Sequence, residues 1–250
     1  MRVDVLALQR FYASRRGELA LTMAQRRLRA LWPAADGLDM LGLGYAPPYL
    51  EPYLPKARRV IAAMPAAQGA ERWPDEGGVL SVLTDEGRLP FMDSVFDRAL
   101  LVHALEEADD PRALLREVWR VMAPEGRRVV IAANRAGLWA RADGTPFGHG
   151  RPYSRGQLGA LLSDALFEPT ASARALYAPP LDWPIVFAMG EGLEATGRVL
   201  APGAGGLVLM EAVKRLYAEA AGERRKVLLA RAPQRVRPAS IPPMTRRRLP

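Results

Sequence analysis

The sequence predicts an α/β fold, in which a doubly wound, mostly parallel sheet carries helices on both faces and follows an N-terminal helical segment. Short apolar runs alternate with amphipathic helical stretches along the chain, as expected for parallel strands joined by helical crossovers. The first apolar run, residues 38–41, is bounded by Gly37 on one side and by Gly42 and Gly44 on the other. This pattern is typical of a buried strand that ends in a glycine turn, where a ligand can approach the backbone closely.

The composition favours one large domain. The chain has 250 residues, 49% of them hydrophobic, so it can bury a sizeable core. It has no cysteine, which excludes disulfides and thiolate metal sites, and with two histidines and no carboxylate cluster at ligand spacing we expect no metal. No stretch approaches the roughly 18 uncharged apolar residues of a membrane span. We therefore expect a cytoplasmic protein.

The net charge of +8 lies in the C-terminal segment. Residues 222–250 contain nine basic residues and one acidic residue, an excess that equals the charge of the whole chain. The sequence therefore predicts three parts: a helical segment over residues 1–32, an α/β domain over residues 33–221, and a flexible Pro/Arg-rich tail. Because residues 1–221 have no net charge and no basic stripe, nucleic acid is an unlikely partner.

The N-terminal half begins with helix. Residues 3–31 show apolar residues at helical spacing and predict two helices joined near residues 14–17. Tyr12 lies near the end of the first helix and is a candidate for substrate contact, with core packing as the alternative. A short helix is predicted over residues 47–54 and a second strand over residues 59–64.

The central part continues the alternation. An amphipathic helix over residues 111–122 opens at Pro111, which suits the first position of a helix. Further strands are predicted over residues 79–83, 98–103 and 128–133.

A long loop follows the fifth strand. Residues 134–153 are too rich in glycine, proline and polar groups for regular structure, but their aromatic residues argue against disorder. We interpret them as an ordered loop beside a substrate. Beyond it, the sequence predicts a helix capped by Ser154, a strand-like segment over residues 167–177, helix over residues 184–200 and a last apolar segment over residues 206–217.

Three stretches of the sequence together resemble a known family. The glycines at positions 42 and 44, the segment DEGRLPFMDSVFD over residues 85–97 and the segment LLREVWRVMAPEGRRVVI over residues 114–131 together resemble the class I S-adenosylmethionine-dependent methyltransferases, in particular the small-molecule type. The resemblance covers about residues 38–133. It implies a Rossmann-like methyltransferase fold, S-adenosylmethionine as cofactor, and methyl transfer to an unidentified small-molecule acceptor.

The resemblance also implies where the cofactor lies. Gly42 and Gly44 would lie under its methionine and ribose, Asp85 would accept a hydrogen bond from the adenine amino group, and Glu86 would add a backbone contact. His103 falls at the end of the fourth strand, where the family borders both cofactor and substrate. The candidate cofactor-binding residues are Gly42, Gly44, Tyr45, Met64, Asp85, Glu86 and His103.

Most of the residues expected to bind the methyl acceptor lie in the long loop. Methyl transfer from a sulfonium needs positioning, and a base if the acceptor carries a proton. His103 is the first base candidate because a histidine titrates near neutrality, and His149 is the second. The alternatives are a hydrogen-bonded His103 that shapes the pocket floor and a loop His149 tied to backbone. Loop arginines would suit an anionic or aromatic acceptor. The candidate substrate-binding residues are Tyr12, Asn134, Arg135, Trp139, Arg141, His149 and Tyr153.

Two positions depart from the family pattern. Ala46 stands at the third glycine, and Met64 stands where the family has an acidic ribose ligand. These departures motivate a second hypothesis, a catalytically degenerate methyltransferase-fold protein that binds or regulates a partner through the loop over residues 134–153 or through the basic tail. A third hypothesis, nucleic-acid modification, rests on the tail alone.

Overall fold

The computed structural model describes residues 2–215, so the predicted basic tail lies outside the described residues. Its strands are β1 Asp39–Gly44, β2 Arg59–Pro65, β3 Ser81–Thr84, β4 Phe96–Val102, β5 Met122–Ala133, β6 Phe167–Ala175 and β7 Leu207–Lys214. They form one sheet in the order β3-β2-β1-β4-β5-β7-β6. Strands β1 to β5 are parallel, and β7 runs antiparallel between β5 and β6. The predicted doubly wound, mostly parallel sheet is confirmed.

The helices in the described part of the chain are α1 Val5–Tyr12, α2 Arg15–Leu31, α3 Pro47–Leu50, α4 Pro111–Val121, α5 Arg155–Asp164, α6 Pro184–Ala188 and α7 Gly190–Leu200. The predicted break in the N-terminal helix is confirmed. Ser14 adopts an extended conformation there, and its side chain caps α2 by accepting a hydrogen bond from the Gly17 N–H. Within residues 2–215, no helix is long and apolar enough to cross a membrane.

The sheet separates two apolar cores. On one face, residues of α1, α2 and α3 pack against the strands. On the other face, α4 and α5 cover the sheet, and α4 buries Leu114, Leu115, Val118 and Val121. Strand β1 is buried along its whole length, which explains its continuous apolar sequence.

Strand β1 extends further than the sequence predicts. The chain continues as strand through Gly42, which pairs with Ala62 and Leu100, and the turn follows Gly44, whose φ is +80°. A Cβ on Gly42 would lie 2.5 Å from a Leu50 methyl carbon, and one on Gly44 would lie 2.2 Å from the Val102 carbonyl oxygen. Packing of the chain on itself therefore already requires glycine at both positions.

Strand β5 also begins earlier than predicted, at Met122 instead of residue 128. Met122 pairs with Phe96, and the register then shifts so that Arg127 pairs with Arg98. This bulge accommodates Pro124 and Gly126 within the strand.

Candidate functional site

The carboxyl ends of the five parallel strands meet at one edge of the sheet. In open α/β sheets this edge is where ligands bind. The last residues of these strands are Gly44, Pro65, Thr84, Val102 and Ala133.

Aromatic side chains cover the ends of β1 and β4. We call this set the aromatic cluster; it comprises Phe11, Tyr12, Tyr45, Tyr49, His103, Trp139 and Phe147, all of them buried. Tyr12 is central, because its ring stacks on Tyr45 with centroids 5.4 Å apart and its hydroxyl lies 3.0 Å from the Tyr49 hydroxyl. The Phe147 ring lies 4.7 Å from the His103 ring. The cluster thus joins α1, the end of β4 and the long loop.

His103 is held in the turn that follows β4. Its φ is +50°, an uncommon value for a side-chain-bearing residue, and its Nε2 lies 2.9 Å from the Tyr12 hydroxyl. Burial lowers the pKa of His103 to about 3. The imidazole is therefore neutral at physiological pH, and it acts here as a hydrogen-bond partner of Tyr12.

The chain that precedes α1 lies across the same edge. We call residues 2–5 the N-terminal strap. The Arg2 guanidinium is buried at 4% exposure, and it lies 3.0 Å from the Ala104 carbonyl oxygen and 2.7 Å from a Glu86 carboxylate oxygen. The backbone N–H groups of the strap donate to the Glu107 carboxylate, from Val3 at 2.7 Å, and to the Gln68 carbonyl, from Val5 at 2.8 Å. The strap therefore spans the ends of β2, β3 and β4.

A cleft of about 410 Å³ opens beside the strap, at the ends of β2 and β3. We call it the Asp85 cleft. Asp85 lies exposed at its wall, with one carboxylate oxygen accepting the Gly87 N–H at 2.8 Å. In the neighbouring turn, the buried side-chain amide of Gln68 has no hydrogen-bond partner within residues 2–215. A carboxylate and an amide in need of partners fit the polar groups of adenosine, so the residues present fit the cofactor that the resemblance implies.

An acidic residue, Glu71, lies beside Met64. Met64 is fully buried, and its sulfur accepts the Glu71 N–H at 3.3 Å. The Glu71 carboxylate accepts hydrogen bonds from the Tyr45 hydroxyl, at 3.3 Å, and from Gln9. Burial raises the pKa of Glu71. Sequence reasoning missed this residue because it stands well past the end of β2 and reaches back.

A second, larger cleft of about 800 Å³ lies between the start of α4, the start of α5 and the long loop. We call it the arginine cleft. The exposed guanidinium groups of Arg135 and Arg151 line it, and neither has a side-chain partner in the part of the chain that the structure describes. Half-buried Tyr153 forms part of the wall. Asp109 and Asp110 line both clefts, so the two adjoin there.

Comparison with known proteins agrees with this geometry. Residues 41–130 match the model of the methyltransferase domain family. Over these residues the chain is similar to methyltransferase domains. A curated relative, the demethylmenaquinone methyltransferase of Thermus thermophilus, is 31% identical over 115 residues, which is 46% of this chain and 42% of that protein. The chain thus matches less than half the length of this relative.

Solved structures share the methyltransferase fold. A Thermotoga maritima S-adenosylmethionine-dependent methyltransferase, described as a possible histamine N-methyltransferase, aligns with a TM-score of 0.62 at 19% identity, covering 84% of this chain and 96% of that one. The Burkholderia thailandensis 1,6-didemethyltoxoflavin N1-methyltransferase, with that compound and S-adenosylhomocysteine bound, aligns with a TM-score of 0.51 at 18% identity, covering 77% and 76%. The predicted Rossmann-like fold is confirmed.

The predicted site residues of the long loop fall into two groups. Trp139 joins the aromatic cluster, and its indole N–H donates to the Ala178 carbonyl at 2.7 Å. Tyr153 donates its hydroxyl to the Leu105 carbonyl at 3.2 Å, and it lines the arginine cleft with Arg135. These three predicted residues therefore lie at the carboxyl edge of the sheet.

Three other loop residues lie apart from the clefts. The Asn134 amide donates to the Gly205 carbonyl at 2.6 Å and so anchors the chain before β7. Arg141 is exposed, and so is His149, whose Nε2 lies 3.1 Å from the Asp143 carbonyl. The structure thus gives Asn134 and His149 local partners, and the functions predicted for these three residues stay predictions.

Sequence reasoning did not single out Glu106. This residue is 5% exposed, and one carboxylate oxygen accepts the Ala133 N–H at 3.0 Å. A buried acid between two strand ends leaves no periodic signal, because the chain around it is irregular. Among residues 2–215, no group of three or more histidine or carboxylate side chains could hold a metal ion.

Proposed function

We propose that the chain transfers a methyl group from S-adenosylmethionine to a small-molecule acceptor. The observation that carries the proposal is the junction of the two clefts at Asp109 and Asp110. One cleft offers polar groups for adenosine, and the other offers cationic and aromatic groups for an acceptor. Cofactor and acceptor would therefore bind side by side, as a group transfer requires.

The residues around the Asp85 cleft would hold the cofactor. Asp85 would accept a hydrogen bond from the adenine amino group, and the amide of Gln68 would bind polar groups of the sugar. Gly44 and Tyr45 would lie toward its methionine end. When bound, the cofactor supplies an electrophilic methyl group on a positively charged sulfur. The chain holds and orients the reactants, and its aromatic cluster and strap exclude water.

The arginine cleft indicates the class of acceptor. Arg135 and Arg151 present planar cations that bind carboxylates in bidentate fashion and stack on aromatic rings. Tyr153 adds an aromatic wall. These groups favour a planar acceptor that is anionic or aromatic. Reduced demethylmenaquinone is the first acceptor to test, because a curated relative is a demethylmenaquinone methyltransferase.

Calorimetric titration tests cofactor binding. The wild-type protein is titrated with S-adenosylmethionine and with S-adenosylhomocysteine, and so are the variants Asp85→Ala and Asp36→Ala. Asp36 is an equally exposed carboxylate, paired with Lys56 near the opposite edge of the sheet. We expect binding by the wild type and by Asp36→Ala, and at least tenfold weaker binding by Asp85→Ala, since a charge-assisted hydrogen bond contributes about 1.5–3 kcal/mol. Absence of wild-type binding at millimolar ligand would contradict the proposal.

One observation favours the second candidate, a methyltransferase-fold protein that binds a partner without catalysis. The aromatic cluster and the strap fill the space beside Gly44 with the protein's own residues. A variant that lacks residues 2–5 separates the two candidates. Binding of S-adenosylmethionine by the wild type supports the transferase, whereas failure of both proteins to bind supports the partner-binding candidate.

A further inference from the structure

Glu106 follows β4 and is fixed at the carboxyl edge of the sheet. Its Oε1 accepts the backbone N–H of Ala133, the last residue of β5, at 3.0 Å. Its own carbonyl accepts the Arg151 N–H at 2.7 Å, and a Cβ on Gly150 would lie 2.4 Å from that carbonyl oxygen. The residue is thus held between the end of β5 and the loop that lines the arginine cleft.

The other carboxylate oxygen has no partner. Oε2 of Glu106 is buried and makes no hydrogen bond within residues 2–215. A buried polar atom of this kind requires a donor or an acceptor, which a ligand can provide. Oε2 therefore lies buried beside residues that line the two clefts, Arg151 of one and Arg2 of the other.

Charged and titratable groups face this carboxyl from every side. Burial, together with the neighbouring Glu107 carboxylate, raises the pKa of Glu106 to about 7, and the Ala133 N–H and Arg2 oppose that rise. Burial raises the pKa values of three tyrosines around it, Tyr12 of α1, Tyr49 of α3 and Tyr153 of the loop, and the Glu106 carboxylate adds to each rise. Glu106 is thus poised to exchange a proton near neutral pH.

His103 suits this task poorly. Its imidazole is neutral, and Nε2 already faces the Tyr12 hydroxyl at 2.9 Å. A base with a pKa of about 3 holds a proton too weakly to accept one from an acceptor near neutral pH. Between the two buried groups of this site, the carboxyl is the better proton acceptor.

We propose that Glu106 is the general base of the transfer reaction, with Oε2 taking the proton that the acceptor loses as it is methylated. The inference rests on the proposed function. An electron pair of the acceptor's nucleophilic atom forms the new bond to the methyl carbon, the departing sulfur keeps the electron pair of the broken bond, and the acceptor's proton passes to Oε2. Charge and atoms balance without a further reactant.

Infrared difference spectroscopy tests the carboxyl directly, without cofactor or acceptor. The C=O stretching band of protonated Glu106 is followed between about pH 5 and about pH 9 in the wild type and in Glu106→Gln. We expect a band that disappears with a midpoint near pH 7 and is absent from Glu106→Gln. The control is Glu211→Gln, which replaces another buried carboxylate, on β7, and which should keep the band. A wild-type Glu106 that is already ionised at about pH 5 would overturn the proposal.

Kinetics then test the role in transfer. With reduced demethylmenaquinone as acceptor, we expect kcat to fall at least 100-fold in Glu106→Gln, while binding of S-adenosylmethionine stays within threefold of wild type. Glu106→Asp should restore part of the rate with a shifted acidic limb of the pH profile. An unchanged rate and acidic limb in Glu106→Gln would overturn the base assignment. If the wild type bound no cofactor, the proposed function would fail, and the infrared titration would still decide the state of Glu106.

Discussion

The Tyr12 hydroxyl lies 2.9 Å from Nε2 of His103, and this contact joins the N-terminal helix to the end of β4. The same hydroxyl lies 3.0 Å from the Tyr49 hydroxyl, and both tyrosines are buried. Because none of these groups reaches water freely, each depends on the others for its hydrogen bonds. The helix that covers the site is thus attached to the sheet by a polar contact inside an aromatic cluster.

Replacement of Tyr12 by phenylalanine should destabilise the protein. The ring keeps its stacking on Tyr45, but His103 and Tyr49 each lose a buried hydrogen-bond partner. We expect the free energy of unfolding to fall by about 1–3 kcal/mol, measured by urea denaturation. Tyr177→Phe is the control, because its hydroxyl bonds to the Pro202 carbonyl at an exposed site, and it should cost less than about 0.5 kcal/mol. Equal losses in the two variants would contradict a special role for the buried contact.

The neutral state of His103 should appear in the pH dependence of stability. Burial lowers its pKa from 6.5 to about 3, so between these values the unfolded chain binds a proton that the folded chain does not. Stability must therefore fall as the pH drops below about 6.5, by about 2 kcal/mol at about pH 5. Glu106 has a raised pKa, so its protonation in the folded state increases stability as the pH drops. This effect opposes that of His103 over part of the range. The contribution of His103 is therefore measured by comparing variants with the wild type.

The chain has two histidines, which provides a matched pair of variants. His103→Gln should show a shallower loss of stability from about pH 7 to about pH 5 than the wild type, since the group that titrates on unfolding is gone. His149→Gln should follow the wild type, because His149 is exposed. Urea denaturation at the two pH values measures the difference. If His103→Gln lost as much stability as the wild type between the two pH values, His103 would not be buried in its neutral form.

Much of the sheet could be predicted from the sequence because local signals mark its elements. Buried parallel strands are continuous apolar runs, and Pro111 and Ser154 mark helix starts. The glycines were detected as well, although Gly42 lies within β1 and not in the turn after it. The ends of β1 and β5 differ from the predicted ends, because extra backbone pairs or a bulge continue the pairing with neighbouring strands. Such pairing depends on the neighbouring strand, which the local sequence does not show.

The site was harder to predict, because its contacts join distant parts of the chain. Asp85 follows a strand and could be found by motif, whereas Glu71 and Glu106 gain their positions only when the turns fold back. The strap contacts join Arg2 to Ala104, 102 residues away. No periodicity or spacing encodes such pairs. Arg135, Trp139 and Tyr153 were singled out by residue type, and the structure places them at the expected edge.

Arg128 should destabilise the fold. Its side chain is fully buried, its three guanidinium nitrogens have no hydrogen-bond partner within residues 2–215, and it lies over the Phe167 ring. Burial lowers the pKa of Arg128, which reflects the cost of holding a cation there. Replacement by methionine, of similar length and no charge, should raise the free energy of unfolding by about 2 kcal/mol.

Its neighbour on β5 supplies the control. Arg127 points to the other face of the strand and lies 3.3 Å from the carboxylate of buried Glu211. Arg127→Met should lower stability by up to about 1 kcal/mol, because that carboxylate loses a counter-ion. Urea denaturation of both variants measures the two effects. A loss of stability in Arg128→Met as large as that in Arg127→Met would show that the Arg128 cation stabilises the sheet.

The strap should control access to the edge of the sheet. Arg2→Ala removes both the ion pair to Glu86 and the hydrogen bond to the Ala104 carbonyl. We expect the amide protons of Val3 and Val5 to exchange at least tenfold faster by hydrogen–deuterium exchange, because their bonds to Glu107 and Gln68 then open more often. We also expect S-adenosylmethionine to associate and dissociate severalfold faster in stopped-flow experiments, since the opened strap uncovers the cleft beside it. Arg10→Ala, which removes an exposed arginine of α1, should change neither rate. Faster amide exchange without faster association of S-adenosylmethionine would show that the cofactor enters the cleft without displacing the strap.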